Sequence, residues 1–188
     1  MNDKKHVYVI HGYTATPTSH WFGWLTDQLH SLGTDVSILA MPNSTDPDNA
    51  AWQKHITENV KTLDEQTFFV GHSLGCVTLL RYLQSKPASV KVGGAVLAAG
   101  FLSSLPILPG LDEFTAQPLN MTQLKTQILR RAVILSLNDD IVPPELSLAL
   151  SQQLDADLYG VPDSGHFLER DGYTRFDKLF AVLKDMLI

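Results

Sequence analysis

Apolar positions along this chain follow two alternating rhythms. Short apolar runs at residues 6–10, 36–40, 67–70, 90–98, 132–137 and 157–161 predict six buried strands. Between them the apolar residues space out by threes and fours. Trp21, Leu25, Leu29 and Leu32 share one face of a helix predicted over residues 20–32. Trp52, Ile56, Val60 and Leu63 share the face of another, behind the polar stretch Asn43-Ser44-Thr45-Asp46-Pro47-Asp48, which ends in a helix cap. Residues 76–83 and 144–154 read as helices. So does a last segment over about 172–187, which turns Phe176, Leu179, Phe180, Leu183 and Leu187 inward.

Strands that are apolar throughout, each followed by a helix, imply a parallel sheet covered on both faces. The expected fold class is therefore α/β, with about six mostly parallel strands in one domain spanning residues 1–188. Right-handed crossovers place every loop after a strand on one sheet edge, where ligands bind. Residues 101–127 break the rhythm: Phe101, Leu102, Leu105, Ile107, Leu108, Leu111 and Phe114 lie among Pro106, Pro109, Gly110 and Pro118. This segment reads either as a short lid over the ligand edge or as a packed excursion that completes the core.

Composition narrows the function classes. A chain of 188 residues with 44% hydrophobic content has enough material for one real core. The formal net charge of −6, with no block of five or six like charges, argues against a nucleic-acid partner. No apolar stretch approaches the roughly 20 residues that span a bilayer. The opening apolar run is too short for a signal-peptide core, and Cys76 is the only cysteine, so a cytoplasmic location is expected. The seven histidines show no metal-ligand spacing. No phosphate-binding loop is present, and no metal or other cofactor is expected.

Candidate chemistry centres on Gly71-His72-Ser73-Leu74-Gly75, which fits G-x-S-x-G. It sits between a predicted strand and a predicted helix, as a strained turn that presents a serine nucleophile requires. A serine hydroxyl needs a base, and the base needs an orienting acid. Downstream lie Asn138-Asp139-Asp140 after the fifth strand and Gly165-His166-Phe167 after the sixth. Both reach the same sheet edge on neighbouring strands, so Ser73, His166 and either Asp139 or Asp140 converge. The expected oxyanion donors are the backbone N–H groups of Leu74 and of Tyr13, in the loop His11-Gly12-Tyr13. His72 is assigned to packing or hydrogen bonding beneath the turn, and Cys76 to the core. Trp21, Phe22, Phe101, Leu105 and Phe114 are the candidates for an apolar acyl pocket.

These motifs, with His20-Trp21-Phe22-Gly23-Trp24-Leu25, Asp112-Glu113-Phe114 and Asp139-Asp140-Ile141-Val142-Pro143, run along nearly the whole chain. Together they resemble the small serine hydrolases related to retinoblastoma-binding protein nine and the bacterial YdeN-type proteins. The resemblance implies an α/β-hydrolase without a large cap domain, its first strand between the second and third. It also implies Ser73, Asp139 and His166 as the triad, with Asp139 preferred to Asp140 on the register of the residues up to Pro143. The expected activity is that of an esterase-like serine hydrolase acting on a small acyl substrate. A thioesterase or acyltransferase would use the same triad. A non-catalytic protein-binding module on the same fold is the rival class, and no residue pattern here names a protein partner.

Overall fold

The computed structural model describes residues 4–188; the first three, part of the stretch read for a leader and of the expected domain, lie outside it. The strands are β1 (His6–Ile10), β2 (Asp35–Leu39), β3 (Thr67–His72), β4 (Val92–Ala98), β5 (Ile128–Ser136) and β6 (Asp157–Val161). All neighbouring pairs are parallel, in the order β2-β1-β3-β4-β5-β6. The first strand thus lies between the second and third, as expected. The chain leaves β1 in one direction and returns to its other side as β3, which opens a crevice at the carboxyl ends of these two strands.

Helices cover both faces. The α1 (Phe22–Ser31) and α6 (Asp177–Leu187) helices pack on one. The α2 (Asn49–Asn59), α3 (Leu74–Gln84), α4 (Met121–Gln127) and α5 (Pro144–Leu154) helices pack on the other. Strand pleating sends alternate side chains to opposite layers: Val7 and Val9 join the α1/α6 core, whereas Tyr8 and Ile10 join the other. The α2 helix starts where expected, with the Asp48 carboxylate accepting the Ala51 N–H at 2.7 Å.

Several boundaries differ from the sequence expectation, each for a local reason. Leu32 caps α1 just before Gly33 turns the chain at φ 75°, so it lies outside the helical face and is 44% exposed. Val60 adopts an extended conformation and ends α2 before Leu63. The β5 strand begins at Ile128, four residues early, because Arg130 and Arg131 interrupt the apolar pattern while their backbones still pair with β4. A short helical turn at Glu169–Asp171, closed by Gly172 at φ 89°, delays α6 to Asp177.

The irregular segment 101–127 contains a 3₁₀ turn at Pro109–Phe114, followed by α4. Phe101, Leu105, Leu111, Phe114 and Leu124 are buried in the α3-side core. Arg81 of α3 ties the segment down by donating to the carbonyls of Phe114 and Gln117. Most of it is therefore packed structure, and only the part around Ile107 and Leu108 reaches the ligand edge.

Gly75 sets the contact between α3 and β1. A Cβ there would overlap the Ile10 carbonyl and stand 2.8 Å from the His11 oxygen. Gly75→Ala should therefore cost about 3 kcal/mol or more in urea unfolding, at the upper end of overpacking costs. Gly23→Ala in α1, where a Cβ meets nothing within 4 Å, should be neutral or stabilising by up to about 1 kcal/mol. Equal effects at the two sites would refute this account of the α3–β1 contact.

Candidate active site

Ser73 sits between β3 and α3 at φ 54°, ψ −122°. Such a backbone costs a non-glycine residue on the order of 1–3 kcal/mol. Two features hold it. The Ser73 N–H donates to the Ala98 carbonyl at the end of β4 (2.9 Å), and the Gly75 contact brings the start of α3 down onto β1. The hydroxyl is thereby placed at the positive end of α3.

The loop after β6 brings His166 to it. His166 Nε2 lies 2.9 Å from Ser73 Oγ, and Nδ1 lies 2.8 and 3.0 Å from the two oxygens of Asp139. A carboxylate only accepts, so Nδ1 carries the proton and Nε2 is left bare to receive the Ser73 O–H. Asp139 Oδ1 also accepts the N–H groups of Ile141 and Val142, both at 2.9 Å. The His166 and Asp139 side chains are 4% and 2% exposed, so little water competes for these bonds. Asp140 points the other way, is exposed, and binds Arg170 at 2.9 Å. Of the two candidates, Asp139 touches His166 and Asp140 does not.

The loop that carries His166 is tied from three sides. Asn138 Oδ1 accepts the N–H groups of Ser164 (2.8 Å) and Gly165 (3.0 Å). Asp171 Oδ2 accepts those of His166 (2.9 Å) and Leu168 (3.1 Å). Trp21 Nε1 donates to the Phe167 carbonyl at 3.1 Å. Gly165 is required in this loop: its φ is 51°, and a Cβ would stand 2.6 Å from Asp171 Oδ1.

The loop after β1 closes the site from the other side. A Cβ on Gly12 would lie 3.0 Å from Ser73 Cβ and 3.6 Å from the Leu74 nitrogen, which shows how near this loop comes to the turn. His11 pins the loop. Its Nε2 accepts the Met41 N–H at 3.1 Å, so its Nδ1–H is the donor to the Gly12 carbonyl at 3.0 Å. Leu74 opens α3, where an N–H has no intrahelical acceptor. Among the described residues the Tyr13 N–H has no protein acceptor either.

A cavity of about 240 Å³ opens beside Ser73 and His166. Its walls include Tyr13, Ala15, Ile107, Leu108, Ile141 and Leu168, with His20 and His72 among them. A larger open groove of about 650 Å³ lies between α3, α4 and α5, but no histidine lines it to serve Ser103 or Ser104 as a base. Among the described residues, no group of three His, Cys, Asp or Glu side chains is arranged to hold a metal. No helix there is long and apolar enough to cross a membrane.

With this geometry in view, comparison with known proteins is decisive for kinship. The profile of the serine hydrolase family matches residues 7–185. The chain belongs to the serine hydrolase family. It is 43% identical over 179 residues to YdeN of Bacillus subtilis, an alignment that covers 95% of this chain and 94% of that protein. The rat serine hydrolase RBBP9 is 26% identical over 177 residues, covering 90% and 88%. The crystal structure of the B. subtilis ydeN gene product superposes with a TM-score of 0.95 at 42% identity, covering 97% of this chain and 98% of that one.

The structure brings Ser73, Asp139 and His166 together and sets the Leu74 and Tyr13 backbones beside them. It does not bring the expected pocket residues there. Trp21, Phe22, Phe101, Leu105 and Phe114 are at most 2% exposed, belong to the two cores, and line no part of the cavity. Large apolar side chains gain more from full burial than from a wall that stays half wet. Cys76 is buried, and burial pushes its thiol up, out of the reactive range. The sequence pattern assigns no site role to Asn138, Asp171 and His20, nor to Ala15, Ile141 and Leu168 on the cavity wall. Asp171 lies within Glu169-Arg170-Asp171, which in sequence has the look of solvated surface.

His72 fills the space beneath the turn, 1% exposed, with Nε2–H donating to the His166 carbonyl at 2.9 Å. Burial foremost, then the nearby His166, pull its basicity well below the ordinary histidine value. His11 is lowered by burial against the raising effect of its bond to Gly12. Unfolded histidines take up protons below about pH 6.5, whereas these native ones stay neutral. Stability is therefore fully present above that pH and falls below it, by up to about 1.4 kcal/mol per pH unit for each such group. Urea midpoints should drop between pH 7 and 5.5, and a flat midpoint across that window would contradict buried neutral imidazoles.

Proposed function

We propose that this serine hydrolase cleaves small acyl esters through an acyl-enzyme. The observation that carries the reading is the continuous hydrogen-bonded path from Asp139 through His166 to Ser73 Oγ, at 2.8 and 2.9 Å. His166 Nε2 takes the Ser73 proton as Oγ attacks the ester carbonyl. Asp139 keeps the imidazole in the Nδ1–H tautomer and stabilises the imidazolium as it forms. The developing oxyanion lies between the Leu74 and Tyr13 N–H groups, where a single such donor is worth on the order of 3 kcal/mol. The imidazolium then returns its proton to the departing alkoxide, leaving Ser73 acylated and the alcohol free. Water, deprotonated by the same nitrogen, attacks the acyl-enzyme and releases the acid with Ser73 restored.

The cavity supports small substrates. At about 240 Å³ it has the volume of roughly eight water molecules, taking about 30 Å³ for each. Its mostly apolar walls suit a short acyl chain better than a charged one.

A fluorophosphonate probe read by intact mass tests the nucleophile. One adduct is expected on the native chain and none on Ser73→Ala. The variant should lose the turnover of p-nitrophenyl acetate while its thermal unfolding stays near that of the native chain, since it forfeits one hydrogen bond of about 1 kcal/mol. Failure of the native chain to label would turn the reading toward a binding protein on a hydrolase fold. Asp139→Asn should lower kcat by about 10³–10⁴-fold, because an amide facing Nδ1 favours the wrong tautomer. A loss under ten-fold would remove Asp139 from the machinery.

A further inference from the structure

His20 stands on the cavity wall beside Ser73 and is used neither by the relay nor by its supports. Its placement is specific. The backbone is held at φ 53°, a conformation uncommon for a non-glycine residue. Its ring meets Phe22 and His72 edge-on, with centroids 5.7 and 5.9 Å away. Its Nδ1 accepts the Glu169 N–H at 3.1 Å. Because an N–H must donate, that bond defines the neutral tautomer: Nδ1 is bare and Nε2 carries the proton. Among the described residues no protein group accepts this Nε2–H, and the nitrogen is not among the buried orphaned atoms, so it is open to a substrate oxygen.

From this geometry we infer that His20 determines specificity by donating its Nε2–H to an uncharged oxygen on the substrate. The preferred substrates are then short esters with an ether, carbonyl or hydroxyl oxygen near the scissile group, rather than plain alkyl esters. The inference rests on the serine hydrolase reading and names the substrate class for that same cavity. The electrostatics favour a neutral acceptor. Burial keeps the ring neutral, and Glu169 and Asp171 lie close enough to act on it. A carboxylate on the substrate would meet both of those charges. Besides His20, Tyr13 and Thr14 bring hydroxyls to this otherwise largely apolar wall, and one hydrogen bond from His20 would orient the substrate about its acyl axis.

Matched ester pairs provide the test. The p-nitrophenyl methoxyacetate and butyrate esters differ by one ether oxygen in place of a methylene. The p-nitrophenyl 4-oxopentanoate and pentanoate esters differ by a terminal acetyl group in place of ethyl. Butyl and 2-methoxyethyl esters of one acid move the oxygen to the alcohol side. The quantity read is the kcat/KM ratio within each pair, in the native chain against His20→Asn. Asparagine tolerates the left-handed backbone and retains an acceptor for the Glu169 N–H but cannot reach the Nε2 position. Intrinsic ester reactivity cancels between the two proteins.

The oxygen-bearing member should lose about five-fold relative to its partner in at least one pair, the worth of one neutral hydrogen bond. His20→Gln, which returns an N–H donor near the Nε2 position, should recover most of that ratio. Turnover by both proteins with every ratio unchanged within two-fold overturns the role of His20 and leaves the hydrolase reading intact. A fall in the ratio that His20→Gln does not recover overturns it also, since the effect would then be structural. No turnover of any ester by the native chain removes the underlying reading and this inference with it.

Discussion

Everything at this site depends on one close approach, the packing of the first turn of α3 against the carboxyl end of β1. Gly75 lies where a single added carbon would collide with the Ile10 carbonyl. That contact, with the Ser73 N–H bonded to Ala98, forces the chain to reverse within one residue and holds Ser73 at positive φ. Ser73 is presented because the backbone has nowhere else to go. The same packing brings the loop after β1, pinned by His11, against the turn, with Gly12 close to Ser73 and Leu74. Strain is concentrated accordingly. Among the described residues, seven of the eight non-glycine positions with positive φ (Thr14, His20, Asn43, Ser73, Ala99, Asp163 and Phe167) follow strands at this edge. Only Asp155, capping α5, lies elsewhere. Strain of this kind persists only where surrounding structure over-determines it, and here the surrounding structure is the sheet.

A second constraint is electrostatic. In the proposed mechanism His166 becomes cationic when it takes the Ser73 proton, and three other histidines lie nearby. Each is kept neutral by burial together with a bond that defines its tautomer. His72 donates to the His166 carbonyl, His11 accepts from Met41, and His20 accepts from Glu169. A charge on His72, whose ring centre is 5.1 Å from that of His166, would oppose the imidazolium directly. The apolar packing of Trp21 and Phe22 around His72 therefore bears on chemistry as well as stability. It removes the competing proton acceptor next to the base.

The fold was largely legible because its signal is local and repeated. Fully apolar strands alternating with three-and-four spaced helices leave little choice of class, and Pro144–Leu154 was readable to the residue because a proline opens it. Legibility failed where polar residues serve backbone pairing, as Arg130 and Arg131 do in β5, and where a positive-φ glycine ends or delays a helix. For the site, the order serine, acid, histidine placed three loops on one edge. Both Asp139 and Asp140 follow the same strand, so only the register up to Pro143 in the family resemblance favoured Asp139, and it is the fold that turns Asp139 toward the histidine. Asn138 and Asp171 were hidden for a related reason. Asn138 works by accepting backbone N–H groups from another loop and Asp171 by accepting those of its own, at His166 and Leu168, and backbone donors leave no trace in a sequence.

The misplaced pocket follows from the size of the protein. Without a cap domain, one sheet and its helices must supply both the core and the walls of the cavity. A chain this short has little interior volume per unit of surface, so its largest apolar side chains stabilise it most when fully enclosed. Trp21, Phe22, Phe101, Leu105 and Phe114 all follow that course. Trp21 even uses its indole N–H to anchor the loop of the base. The wall beside Ser73 is left to shorter or half-exposed side chains from four loops, Ala15 and His20, Ile107 and Leu108, Ile141, and Leu168. In a cavity so lined, shape discriminates weakly, since one methylene is worth only about 1–3 kcal/mol. The His20 Nε2–H, worth about five-fold, adds a different kind of reading: the apolar walls sense the length of a chain but not where it carries an oxygen. That preference would then reside in a half-buried polar residue of the wall rather than in the large side chains that the core encloses.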